Sequence, residues 1–156
     1  MKTVFCILIV LFIIACTKES TEIPPFINNG LNIYYSEGSG WTGWGYDLNI
    51  DSTGVMTIYE IREHPETFER TKRCVLLVEE VDSLKYEIEN LRAIKLQDYG
   101  WGPDKPTDYP ARFFIYKLNT FSATSSIYYP EEGEIPAEFL KVLGSIYKLM
   151  KKYDNR

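Results

Sequence analysis

The stretch Tyr46-Asp47-Leu48-Asn49-Ile50-Asp51-Ser52-Thr53-Gly54-Val55-Met56-Thr57-Ile58-Tyr59-Glu60-Ile61 decides the fold. Tyr46, Leu48 and Ile50 alternate with Asp47, Asn49 and Asp51, the period of a strand with one buried and one wet face. Asp51-Ser52-Thr53-Gly54 is a hairpin turn, with glycine supplying backbone freedom at its end. Val55, Thr57, Tyr59 and Ile61 are the alternating set of the returning strand. A hairpin implies antiparallel pairing, and a half-wet strand must have its dry face covered.

The pattern extends in both directions. Upstream, Asn28-Asn29-Gly30 is a turn, and Leu31, Ile33 and Tyr35 alternate with Asn32, Tyr34 and Ser36 as another strand. Downstream, His64-Pro65-Glu66 interrupts, and Phe68 to Leu77 is a fourth strand. Val81, Leu84, Ile88, Leu91 and Ile94 then recur at spacings of three and four, one face of a helix. Asp82 or Ser83 is its expected cap, and Glu89 and Arg92 fall together on the wet side. Gly100 to Pro110 is a loop. Arg112 to Leu118 and Ala123 to Tyr129 form a second hairpin across Asn119 to Ser122. Pro136 suits the first position of a final helix. Its apolar stripe is Phe139, Val142, Leu143, Ile146, Leu149, Met150 and Tyr153, and Lys148, Lys151 and Lys152 sit where the helix dipole favours cations. The expected order is β-β-β-β-α-β-β-α: an α+β fold with an antiparallel sheet of about five to six strands and two amphipathic helices packed on it.

The start of the chain is of another kind. Lys2 is followed by Val4 to Ile14, in which Cys6 is the sole side chain that is not plainly apolar, and then by Ala15-Cys16. A basic start, a short apolar run and a small-residue cut site make a secretory signal. The run is too short to span a bilayer, which needs about 20 apolar residues. Ile13-Ile14-Ala15-Cys16 resembles the lipobox of bacterial lipoproteins. That resemblance implies that residues 1–15 are removed and that Cys16 is lipidated, palmitate included. It also implies a membrane as the first partner. Thr17 to Pro25 is polar and ends in a proline pair, a flexible tether. The expected organisation is therefore signal peptide 1–15, lipidated cysteine and tether 16–26, and one domain over 27–156. The expected place is the bacterial cell envelope, on the periplasmic or surface side of the outer membrane.

Composition narrows the function. The 156 residues are 45% hydrophobic, enough for a real core, and carry a formal net charge of −5. An acidic chain lacks the basic footprint that nucleic acid requires. With Cys6 removed and Cys16 lipidated, Cys74 is left alone in a strand, where a lone thiol packs as a small hydrophobe. Gly38-Ser39-Gly40-Trp41-Thr42-Gly43 spells a nucleotide-loop pattern, but a strand follows where the dinucleotide version needs a helix, so no nucleotide is expected. Asp47, Asn49 and Asp51 imitate the start of a calcium loop, but Ser52 and Ile58 stand where glycine and glutamate belong. Ser145-Ile146-Tyr147-Lys148 fits S-x-x-K without its partner motifs. His64, the single histidine, stands in a turn. No catalytic set, metal or cofactor is expected.

Aromatic residues in two loops are the remaining candidates. Trp41, Trp44 and Tyr46 follow a glycine-rich turn, and Tyr99, Trp101 and Tyr109 flank a loop that also holds Asp98, Asp104 and Asp108. Such rings either plug the ends of a small sheet or form a binding face, where Trp and Tyr give large contact with a polar tip. The expected function is a non-catalytic module that binds a protein or peptide of the envelope. The alternatives are a carbohydrate-binding or weakly hydrolytic domain using the same rings with Asp104 or Asp108, and a structural lipoprotein.

Thr107-Asp108-Tyr109-Pro110, the strand Arg112 to Leu118, Ile127-Tyr128-Tyr129 and Ile135-Pro136 with the helix Phe139 to Leu149 resemble small domains found in bacterial lipoproteins. Ile33-Tyr34-Tyr35 with Gly38 to Gly43 fits their opening hairpin. The layout is also similar to emfourin-type inhibitors of thermolysin-like proteases, which implies an inhibitor-like mode of binding without assigning inhibitory residues.

Overall fold

The computed structural model describes residues 29–39, 43–62, 67–100, 111–128, 130–131 and 133–154. Its elements are β1 (Leu31–Ser39), β2 (Trp44–Ile50), β3 (Val55–Arg62), β4 (Phe68–Val75), α1 (Val78–Leu91), β5 (Ala111–Leu118), β6 (Phe121–Ile127) and α2 (Ala137–Asp154). The strands form one six-stranded sheet in the order β4-β3-β2-β1-β5-β6, every pair antiparallel. This is the α+β architecture that the alternations imply. Among the described residues no helix is long and apolar enough to cross a membrane. Cys16 and the tether lie outside the described residues.

The turn at Asp51 sets the register of the first hairpin. Asp51 Oδ1 accepts from the Thr53 amide at 2.8 Å, the Thr53 hydroxyl at 2.6 Å and the Val55 amide at 3.1 Å. Gly54 closes the turn at φ +78°, a conformation that costs an L side chain about 1–2 kcal/mol. Ile50 therefore pairs with Met56 and Leu48 with Ile58. Met56 and Ile58 share the dry face with them, so Thr57, Tyr59 and Ile61 lie on the opposite face. The alternating set named from the sequence on β3 is the out-facing one, because the turn length fixes the phase.

Row by row, the dry face is continuous across the strands. One row runs Cys74, Met56, Ile50, Ile33, Tyr116, Ala123, and the next runs Lys72, Ile58, Leu48, Tyr35, Phe114, Ser125. The helices cover this face with Val81, Leu84, Ile88 and Leu91 from α1 and Phe139, Val142, Ile146, Leu149 and Tyr153 from α2. Phe139 is fully buried, with ring centroids 5.2 Å from Phe114 and 6.0 Å from Tyr99.

Three local expectations change. Helix α1 begins at Val78, ahead of Asp82 and Ser83, and Leu77 is its cap. Glu80 reaches back to accept the Leu77 amide at 2.8 Å, which supplies the cap without a side chain at Leu77. The second hairpin turns over Asn119 and Thr120 alone, with Asn119 at φ 55°, so Phe121 already belongs to β6 and packs 5.9 Å from Tyr116. Ile94 follows the helix in a turn, its amide bonded to the Leu91 carbonyl. Glu89 and Arg92 do pair, at 2.8 Å.

Candidate functional site

The dry face changes character in one row. Arg70, Glu60, Tyr46, Glu37, Arg112 and Ile127 lie side by side across all six strands. In four of these strands a charged residue stands where the inward alternation calls for an apolar one. Helix α2 runs out over this row at the β4 side, and the two together form an open groove of about 320 Å³. Ile58, Tyr46 and Met150 make its floor, Trp44 and Tyr147 its aromatic walls, and Arg62 and Lys151 its rim.

Charges hold the groove in shape. Glu60 lies 2.7 Å from the Arg70 guanidinium and 3.0 Å from that of Arg62. Arg70 reaches on to Asp154 Oδ1 at 2.6 Å, and Lys72 donates to the Asp154 carbonyl at 2.8 Å. The last residue of α2 is thus tied to the edge strand β4. At the same end of α2, Glu80 in the first turn of α1 accepts from Lys152 and from the Tyr153 hydroxyl at 2.7 Å. Burial works to raise the Glu80 carboxyl, but these bonds and the Leu77 amide outweigh it and hold the group below its ordinary value.

Next to the groove lies a half-buried polar cluster. Glu37 Oε2 accepts from the Tyr35 hydroxyl at 2.9 Å and from the Tyr46 hydroxyl at 2.5 Å, while Oε1 accepts from Arg112 Nε at 3.0 Å. Burial alone would raise the Glu37 carboxyl. The hydrogen bonds of Tyr46, Arg112 and Tyr35, with the Arg112 charge, more than offset it, and the group is lowered. Burial, then the neighbouring carboxylate, raises both tyrosine hydroxyls far above the ordinary phenol range. At neutral pH the cluster is one carboxylate, one guanidinium and two neutral phenols, each with a partner.

Of the six rings singled out from the sequence, Trp44, Tyr46 and Tyr99 are described, and Trp41, Trp101 and Tyr109 lie outside the described residues. Trp44 and Tyr46 are edge-to-face neighbours with centroids 5.3 Å apart, Trp44 half-buried and Tyr46 buried. Tyr99 is 1% exposed. It forms a bridge to Ile127 beside β6, where its amide donates to the Ser126 carbonyl and its carbonyl accepts from Tyr128. Tyr99 therefore caps the β6 edge from within the core. Tyr46 and Tyr99 belong to one row but stand four strand spacings, roughly 19 Å, apart. The structure joins Trp44 and Tyr46 to the groove and places Tyr99 elsewhere.

From the sequence, Met150 belongs to the helix stripe and Lys151 to the dipole cations, while Tyr147, Asp154, Glu37, Glu60 and Arg112 carry no site expectation. Glu37, Glu60 and Arg112 do carry a sequence mark: each breaks an inward alternation, after Leu31, Ile33, Tyr35, after Met56, Ile58, and before Phe114, Tyr116, Leu118.

The other motifs find local uses. Asp47 and Asn49 lie on β2 and Asp51 serves its turn. Ser145 Oγ donates to Glu87 Oε1 at 3.1 Å where α1 meets α2, and Lys148 is exposed. Cys74 is half-buried, its thiol 3.7 Å from the Met56 carbonyl, and burial raises it. Among the described residues no three His, Cys, Asp or Glu side chains gather as a metal set. His64 lies outside them. Comparison with protein-family models and with curated proteins gives no match.

Proposed function

We propose that this chain is a lipid-anchored cell-envelope protein whose α+β domain is a non-catalytic binding module for a protein or peptide. The groove between β2–β4 and the end of α2 carries the reading. It combines two aromatic walls, a methionine floor and a charged rim, the residue types enriched where protein surfaces are recognised. Glu60 and Asp154 are both paired with arginines, so a ligand meets rings and cations rather than bare carboxylates. Tyr147 is 59% exposed, a large ring held out beside Trp44 with little burial of its own. The anchor is supported by Lys2, the apolar run Val4 to Ile14 and the small-residue-Cys16 junction.

The test uses the full chain in membranes of expressing cells. Chemical crosslinking followed by mass spectrometry is compared between the native chain and a Trp44→Ala, Tyr147→Ala variant. One protein crosslinked by the native chain and lost from the variant is expected; equal recovery by both counts against the groove. In parallel, Cys16→Ser should abolish palmitate labelling and block maturation. Unchanged labelling would remove the anchor while leaving the groove to stand on its own.

A further inference from the structure

We infer that the sheet face opposite the helices is the contact between two copies of this chain. Both helices lie on the other face, and no described element covers this one. The inference rests on the sheet and not on the groove. Strand β5 reads Ala-Arg-Phe-Phe-Ile-Tyr-Lys-Leu and is apolar on both sides: Phe114 and Tyr116 point into the core, Phe113 and Ile115 point away. A run without alternation is the pattern of a strand covered on both faces. Phe113 and Ile115 are 46% and 44% exposed, and Tyr34, paired with Ile115 across β1, is 37% exposed. Tyr59 and Ile61 form a second apolar group on β3, separated from the first by Ser36, Gly38, Gly45 and Asp47.

Size and charge choose the occupant. Six strands about 4.8 Å apart and about seven residues long at about 3.4 Å each span roughly 600 Å². With side-chain relief this approaches the ~800 Å² per partner of a standard specific interface. The face carries Asp47 and Glu69 against Arg73 and Lys117, a balance of two and two, whereas the whole chain is at −5. Two acidic molecules repel through most of their surfaces, and this neutral face is where they meet without that cost. A two-fold axis along the strands between β2 and β1 lays β5 of one copy over β3 of the other. Phe113 then meets Tyr59 of the second copy, and the two sheets stack at the usual ~10 Å.

The full chain in its membrane is the test material. A photoreactive benzoylphenylalanine in place of Phe113 should give a species of twice the chain mass, and the same probe in place of Tyr86, exposed on α1, should not. In detergent, sedimentation should report a concentration-dependent dimer, and Phe113→Asp with Ile115→Asp should report a monomer that keeps the circular-dichroism spectrum of the folded native chain and loses the concentration dependence of its melting temperature. The contact is overturned by a monomer at every concentration together with no two-chain crosslink from Phe113. It is equally overturned if the Phe113 probe crosslinks only lipid or saccharide, which would give the face to a bilayer or a glycan.

Discussion

Arg112 on β5 donates from Nε to Glu37 on β1 at 3.0 Å, and the two stand directly opposite in the register. The pair is half withdrawn from water, with Glu37 at 14% side-chain exposure. Removing one partner leaves the other, partly withdrawn from water, without its ionic counterpart. Glu37→Gln should therefore lower stability by about 1–3 kcal/mol, read from the urea midpoint at constant slope. Arg112→Met should cost a similar amount. The double variant should cost less than the sum, since the second change no longer strands a charge. Strict additivity would show that the pair is decorative.

Acid should weaken the fold through the same group. Glu37 and Glu80 are held below the ordinary carboxyl value of 4.5, burial opposing and the hydrogen bonds prevailing. Above that value both states are ionised and the contribution is complete. As pH falls below it, the unfolded chain binds protons that the folded chain refuses, so stability declines until the folded groups titrate as well. Unfolding midpoints recorded from pH 6 downward, with pH units read at about one-unit steps, should fall more gently for a Glu37→Gln, Glu80→Gln variant than for the native chain. Parallel curves would locate acid sensitivity elsewhere.

Gly54 is fixed by backbone and neighbour together. Its φ is +78°, a built Cβ would lie 3.3 Å from Val81 Cγ2, and its carbonyl accepts the Leu76 amide at 2.9 Å. Gly54→Ala should cost about 1–2 kcal/mol from the left-handed backbone alone. A melting temperature equal to that of the native protein would refute this.

Glu87 is the opposite case, a charge that the fold would hold more tightly without. It is 7% exposed between α1 and α2, and its Oε2 has no hydrogen-bond partner among the described residues. Oε1 takes the Ser145 hydroxyl at 3.1 Å and stands 3.9 Å from Lys141. Replacing a buried ionic group by apolar residues is often neutral or stabilising by about 1–4 kcal/mol. Glu87→Leu with Ser145→Ala should accordingly keep or raise the urea midpoint; a clear drop would sink the idea.

The strands and helices were legible because each exposes one face and hides the other, and alternation at two or at three to four residues is written locally. The 46–61 hairpin showed both its existence and its turn. Its phase was harder: Val55-Met56-Thr57-Ile58-Tyr59 is apolar enough on both sides that either set could have been the inner one. The bonds that Asp51 makes to Thr53 and Val55 decided it. Of the rings, Trp44 and Tyr46 were legible as neighbours because they share one strand two residues apart. Tyr99 looked alike in sequence, since nothing local marks a tyrosine that leaves its loop to pair with Ile127.

By itself, then, the sequence determined the element order, the α+β class and the apolar stripes, all of which depend on residues close together in the chain. Only the tertiary structure decided that Arg70, Glu60, Tyr46, Glu37 and Arg112 form one row and that Asp154 closes onto its end. Strand order and register bring together residues as far as 75 positions apart, as with Glu37 and Arg112, and no short-range pattern encodes which strand lies beside which.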